Sequence, residues 1–126
     1  MNHWIVGWTD WNMVLDERGG PNWAGFSADA AVIVNGTADE FYKQPMFYAL
    51  GHFSKYVPEG SIRIDSRLDV NDANLFVAAF QLPDGKRAAV ILNRSDSEKL
   101  IVLTDNERGQ VEFSCPPRSL HTIVYG

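Results

Sequence analysis

The side chains able to do chemistry in this 126-residue chain are carboxylates, three histidines, one cysteine and a set of tryptophans. Paired carboxylates carry acid/base or nucleophilic chemistry only when two of them face one reacting bond. Here Glu17, Glu40, Glu59, Glu98 and Glu107 fall in loops or near turns, and Glu112 in a late strand. None has an evident partner, so the sequence offers no catalytic pair, and a solvated surface is their reading. His3, His52 and His121 lie far apart and lack metal-ligand spacing, and a single thiol, Cys115, can form neither an internal disulfide nor a thiolate cluster. No metal and no cofactor are expected. The tryptophans concentrate near the start, in Trp4, Trp8, Trp11 and Trp23. An indole offers an apolar face and one N–H donor, a pairing suited to packing in a core or to contact with an amphipathic ligand.

Composition bounds the rest. The chain is 45% hydrophobic and 21% charged, the balance of a globular domain, and its net charge is −5. Its cations, among them Lys43, Lys55, Arg63 and Arg67, are scattered among carboxylates. No basic footprint for nucleic acid results. No apolar run reaches the ~20 residues of a membrane-spanning helix. The N-terminus lacks the charged start and small-residue cleavage site of a signal peptide. Strand-like sequence follows Met1 at once, which reads as a chain cut from something larger.

Three zones position these side chains. In the first, His3–Trp8 is a nearly continuous apolar run, the pattern of a strand buried on both faces in a parallel sheet. Polar Thr9-Asp10 and the turn-forming Gly19-Gly20-Pro21-Asn22 follow, and a shorter apolar run, Ala31–Val34, closes the zone. In the second, Met46, Leu50, Phe53 and Val57 share one helical face. Asp39–Gln44 leads into this helix, Pro45 suits its first turn, and Pro58 with Gly60 ends it. Gly51 within it suggests close packing against a neighbour. The third zone is strand after strand: 61–67, 75–82, 87–94, 100–104, 110–115 and 120–125. Pro83-Asp84-Gly85, Ser95-Asp96-Ser97 and Asn106–Gly109 supply turns between them. Short strands joined by tight turns predict an antiparallel sandwich or barrel.

Val6-Gly7-Trp8-Thr9-Asp10-Trp11-Asn12, Gly19-Gly20-Pro21-Asn22-Trp23 and Phe41-Tyr42-Lys43-Gln44-Pro45-Met46-Phe47-Tyr48 occur in that order. With Leu50–Lys55, Pro58–Ser61, Val90–Ser95 and Ser119–Thr122 they resemble glycoside hydrolase family 30, specifically its glucosylceramidases. The resemblance is dense up to Ser61 and thinner beyond. It implies a mainly β chain: the last strand and helix of a catalytic (β/α)8 TIM barrel over residues 1–60, then an antiparallel β-sandwich over 61–126. A complete barrel needs about 250 residues, so only a piece can be present.

The resemblance also implies a retaining hydrolysis of a β-glucosyl bond by two glutamates on earlier barrel strands, outside this chain. What the chain would supply is the wall of a sugar pocket. Trp11 matches a tryptophan lining the glucose site and Asp10 a supporting aspartate. Asn12 and Asn22 are weaker candidates for the same substrate-binding role, since loop asparagines usually serve turns. Trp4 and Trp8 read as core. Family members carry an asparagine where Phe26 stands, so the aglycone side of the pocket differs here. The implied partners are glucosylceramide or another β-glucoside, the rest of the catalytic barrel, a saposin-type activator and a membrane surface. Sequons at Asn35 and Asn93 fit a lysosomal or secreted glycoprotein. The alternative is a non-catalytic β-sandwich that binds carbohydrate or docks a partner.

Overall fold

The computed structural model describes residues 2–126. The chain is mainly β and divides into two compact units, His3–Gly51 and His52–Gly126 together with Asn2.

In the first unit, β1 (Val14–Asp16), β2 (Val32–Asn35) and β3 (Glu40–Lys43) form one sheet in that order. β1 and β2 are parallel, with Leu15 opposite Ile33; β2 and β3 are antiparallel, with Val34 opposite Phe41. Leu15, Ala30 and Ala31 are its buried apolar residues. The expected strand over His3–Trp8 is absent. That run is irregular, Trp4 has a positive φ of 62°, and Trp4, Val6 and Trp8 are exposed. A strand buried on both faces needs neighbours to complete its hydrogen-bond ladder and cover its side chains. Among the described residues His3–Trp8 has no pairing partner. The second difference is β3, whose sequence reads as a lead-in to the helix. The five-residue span from Asn35 to Asp39 turns the chain back, and Phe41-Tyr42 pairs with Ile33-Val34.

The helix α1 (Pro45–Ser54) starts at the proline, where a missing N–H costs no helical bond. Met46, Leu50, Phe53 and Val57 are half-buried as their spacing predicts, with Val57 just beyond the helix. Gly51 is not a close-packing site: a methyl group there would meet nothing within 4 Å.

The second unit has a four-stranded antiparallel sheet in the order β4 (Ile62–Ile64), β5 (Leu75–Gln81), β6 (Arg87–Asn93), β9 (Ser119–Tyr125). A hairpin of β7 (Lys99–Asp105) and β8 (Gly109–Cys115) forms the other layer. Alternation sorts β5 and β6 into two cores. Leu75, Val77, Ala89 and Ile91 face the hairpin's Ile101, Leu103, Phe113 and Cys115. Ala78, Phe80, Ala88 and Val90 face the other way, against Phe53 and Val57, with the Phe53 and Phe80 rings edge to face at 6.4 Å. Both faces are covered, so these central strands read as continuous apolar runs rather than alternating ones.

The links between the layers converge on Asn93 at the end of β6. Its Nδ2 donates to the carbonyls of Ser97, Cys115 and Pro116 at 2.9–3.0 Å. Its Oδ1 accepts from the backbone N–H and hydroxyl of Ser95. One amide thereby ties the β6–β7 link to the β8–β9 link, and Asn93 is fully buried. At the other end, Arg87 on β6 pairs with Asp105 and Glu107 of the hairpin.

Candidate functional site

Asp10, Trp11 and Asn12 sit in the irregular segment before β1, and Asn22 in the loop after it. The Asp10 carboxylate accepts the backbone N–H of Trp11 at 3.0 Å. Asn12 follows with a positive φ of 56°, a conformation asparagine tolerates better than most residues. This pair of local features turns the chain sharply at Trp11, whose indole stays 73% exposed. An exposed indole beside a carboxylate can stack on the C–H face of a sugar and offer hydrogen-bond acceptors to its hydroxyls.

The loop after β1 is organised by Asp16, a residue with no role in the motif reading. Its carboxylate accepts the N–H groups of Arg18 and Gly20, both at 2.8 Å. Those two backbone bonds, Gly20 first, hold the Asp16 carboxyl below the usual carboxylate range. Gly19 has a φ of 78°, and a Cβ there would stand 2.4 Å from the Ala28 nitrogen, so only glycine fits this contact. The Asn22 amide donates to the carbonyls of Gly19 and Phe26. The signal for Asp16 was present in the sequence as an aspartate three residues before Gly-Gly-Pro, the pattern of an Asx-type turn.

A recess of about 480 Å³ adjoins this loop, lined by Asp16, Glu17, Asp29 and Tyr42 among others. None of Asp10, Trp11, Asn12 or Asn22 lies on its wall. In the sandwich a cleft of about 640 Å³ is lined by Leu75, Ile91, Ile101, Arg87, Asp105 and Tyr125 among others, and no expected site residue borders it. The buried Ser66 hydroxyl has no hydrogen-bond partner among the described residues. Two of the glutamates have local partners: Glu40, at the start of β3 rather than in a loop, accepts the Tyr42 hydroxyl, and Glu107 pairs with Arg87. Among the described residues no three acidic, histidine or cysteine side chains converge as metal ligands.

The two sequons differ sharply. Asn35, half-buried at the end of β2, uses Oδ1 to accept the N–H groups of Thr37 and Ala38. Asn93 is different: its amide nitrogen is buried and donates to the carbonyls of Ser97, Cys115 and Pro116.

The glycosyl hydrolase family 30 TIM-barrel domain matches residues 1–57, and the family's β-sandwich domain matches residues 60–123. The chain belongs to glycosyl hydrolase family 30. Relatives within and around the family agree. A Caenorhabditis elegans protein named as a glucosylceramidase is 48% identical over 128 residues, covering 99% of this chain and 24% of the relative. Lysosomal acid glucosylceramidase of Mus musculus is 43% identical over 121 residues, covering 96% of this chain and 23% of the relative. The chain therefore spans about a quarter of the length of the curated relatives it matches. Among solved structures, an endo-β1,6-glucanase superposes with a TM-score of 0.84 at 26% identity, over 92% of this chain and 26% of that one. Within family 30, then, this chain carries the end of the TIM-barrel domain and the β-sandwich domain.

Proposed function

We propose that the chain is the C-terminal part of a retaining β-glucosidase that hydrolyses glucosylceramide to glucose and ceramide. In this reading residues 1–60 complete the catalytic barrel and 61–126 form its companion sandwich. Trp11 is the sugar-stacking wall, with Asp10 and Asn12 beside it as the polar side of the same segment. The two glutamates that break and remake the glycosidic bond come from the remainder of the parent protein, which is the partner this chain requires. The parent acts in the lysosome or outside the cell, carries a glycan at Asn35, and meets its lipid substrate at a membrane surface with a saposin-type activator.

The observation that carries this reading is the 43% identity to a lysosomal acid glucosylceramidase across 96% of the chain. The exposure of Trp11 supports the role given to it: its indole is free of hydrophobic cover, as a ligand-facing aromatic must be.

The test uses the full-length protein with a fluorogenic β-glucoside and with glucosylceramide. Hydrolysis of both is expected, and Trp11→Ala is expected to lower kcat/KM by about tenfold, the worth of one aromatic contact of roughly 1.4 kcal/mol. The isolated 126-residue chain is expected to be inactive. Turnover by that chain above its own Trp11→Ala control would show that the reaction needs no upstream glutamates. A full-length protein inert toward β-glucosides would sink the substrate assignment.

A further inference from the structure

Asn35 is the one asparagine in the chain that precedes a glycine. An asparagine side-chain amide and the next backbone nitrogen close a five-membered ring when that nitrogen reaches Cγ. A Cβ on the following residue hinders the approach, and glycine has none. Gly36 is exposed, the space around it is open, and among the described residues its N–H donates to no backbone carbonyl. The attacking nitrogen is therefore free to lose its proton to solvent.

The turn after β2 meets a second requirement. When a nitrogen adds to Cγ, negative charge collects on Oδ1. In Asn35 that oxygen already accepts the N–H groups of Thr37 at 3.2 Å and Ala38 at 3.1 Å. Two fixed backbone donors on one carbonyl oxygen are the arrangement that stabilises a tetrahedral oxyanion. The leaving side is open as well, since among the described residues Nδ2 donates to nothing.

Two other turns mark the contrast. Asn93 precedes Arg94, and its amide is buried against three carbonyls. Asp84-Gly85 has the glycine and the same kind of turn, with the Lys86 N–H on Oδ1 at 3.0 Å. The Lys86 ammonium at 2.9 Å, and then that N–H, hold the Asp84 carboxyl below its ordinary pKa. An ionised carboxylate is a poor electrophile and has no good leaving group.

We propose that Asn35-Gly36 is a self-modification site. The Gly36 nitrogen bonds to Cγ of Asn35, the Cγ–Nδ2 bond breaks, and Nδ2 departs as ammonia with the proton that Gly36 lost. Water then opens the succinimide. Attack at Cγ leaves an aspartyl residue, and attack at the main-chain carbonyl leaves an isoaspartyl link. Either product sets a carboxylate opposite Glu40, the cross-strand partner of Asn35, and removes the glycan acceptor. Like charges directly opposite each other weaken strand pairing. The chemistry rests on neither the β-glucosidase reading nor the presence of a glycan.

The test uses full-length Thr37→Ala, which abolishes the sequon at an exposed position and keeps both N–H donors. No glycan then masks Asn35. It is incubated at pH 8 beside a synthetic peptide of the same sequence over 31–41, and beside the double variant that adds Gly36→Ala. Gly36 does not have a positive φ and a Cβ there meets nothing within 4 Å, so alanine perturbs only the approach to Cγ. The 19–43 tryptic peptide is then read by fragmentation mass spectrometry and by isoaspartyl methyltransferase labelling. Asn22 in the same peptide is the comparator.

Asn35 is expected to convert in the folded protein at least as fast as in the synthetic peptide, with isoaspartate predominating, while Asn22 stays an amide. Gly36→Ala should slow the conversion about tenfold. Slower conversion in the folded protein than in the peptide overturns the proposal, because the turn would then shield Asn35. Equal rates with and without the glycine overturn it by removing Gly36 as the nucleophile. Aspartate without isoaspartate overturns it too, since direct hydrolysis by water gives only the former.

Discussion

Asn35 and Asn93 satisfy the same three-residue glycosylation pattern, yet their amides do different things. The Asn93 nitrogen serves three buried carbonyls, whereas among the described residues the Asn35 nitrogen donates to none. Glycopeptide mapping of the secreted full-length protein should therefore find Asn35 modified and Asn93 bare. A glycan on Asn93 of the folded protein would contradict the burial argument. Asn93→Asp keeps the acceptor for Ser95 but strands the carbonyls of Ser97, Cys115 and Pro116. Unsatisfied buried groups cost about 1–3 kcal/mol each, and partial relaxation should leave a net loss of roughly 3 kcal/mol in denaturant unfolding. Residue types and spacing showed where glycosylation could be attempted. Burial, which only the folded chain defines, separates the two sites. The same holds for Asn22: its loop position was plain from Gly-Gly-Pro-Asn, and its two carbonyl partners were not.

Strands carried most of what was readable at the level of elements. Five of the six sandwich strands lie within a residue or so of their expected bounds, and Pro83-Asp84-Gly85, Ser95–Ser97 and Asn106–Gly109 break the backbone between β5 and β6, β6 and β7, and β7 and β8. The first strand of the zone is shorter than expected, Ile62–Ile64. His3–Trp8 shows the limit of that reasoning. Its pattern equals that of β5 and β6, but those have partners on both edges and cover on both faces, and His3–Trp8 has neither among the described residues. Phe80 is only 2% exposed and meets Phe53 on the helix-side core, so Phe80→Ala should cost about 3–5 kcal/mol. Leu100 is 68% exposed on the outer face of β7, and Leu100→Ser should change stability by about 0.5 kcal/mol or less. Denaturant melts of the two variants would reverse this order if the alternation along β5 or β7 were wrongly assigned.

Acid tolerance belongs to the whole molecule, and two groups push it in different ways. Burial raises the Asp105 pKa, but bonds from Arg87, the Glu107 N–H and the Tyr125 hydroxyl outweigh burial and leave it below 3.8. A carboxylate with a depressed folded pKa stabilises the fold above its unfolded value and loses that contribution only as pH falls through the folded one. The Arg87 cluster should thus persist at pH 5. His52, bonded through Nδ1 to the Thr122 hydroxyl at 2.8 Å, acts with the same sign but in a higher pH window. Burial first, and then the charge of His121, hold its pKa below 6.5. The unfolded chain binds the proton first, so stability falls as pH drops below 6.5. Thermal melts should decline from pH 7 to 5, and His52→Gln, which keeps a donor for Thr122, should reduce that decline. An unaltered pH profile in the variant would remove His52 from the account. The isolated chain should also self-associate, because Trp4, Trp8, Trp11 and Trp23 stand exposed and the sandwich cleft is open. Light scattering on a size-exclusion column would expose the error as a monodisperse monomer.

The sequence alone determined the β-rich class, the sandwich strands, the helix with Pro45 at its head, and the family to which the motifs belong. These follow from local chemistry: side-chain alternation, turn-forming residues and fixed motif spacing need no distant partner to be recognised. Tertiary structure decided what depends on neighbours remote in sequence. It left the Trp-rich run outside any sheet, buried Asn93 between two crossing links, and spent the Asn22 amide within its own loop. Whether an apolar run is a strand, or an amide is free to meet a ligand, is set by what packs and bonds against it, and spacing along the chain does not encode that.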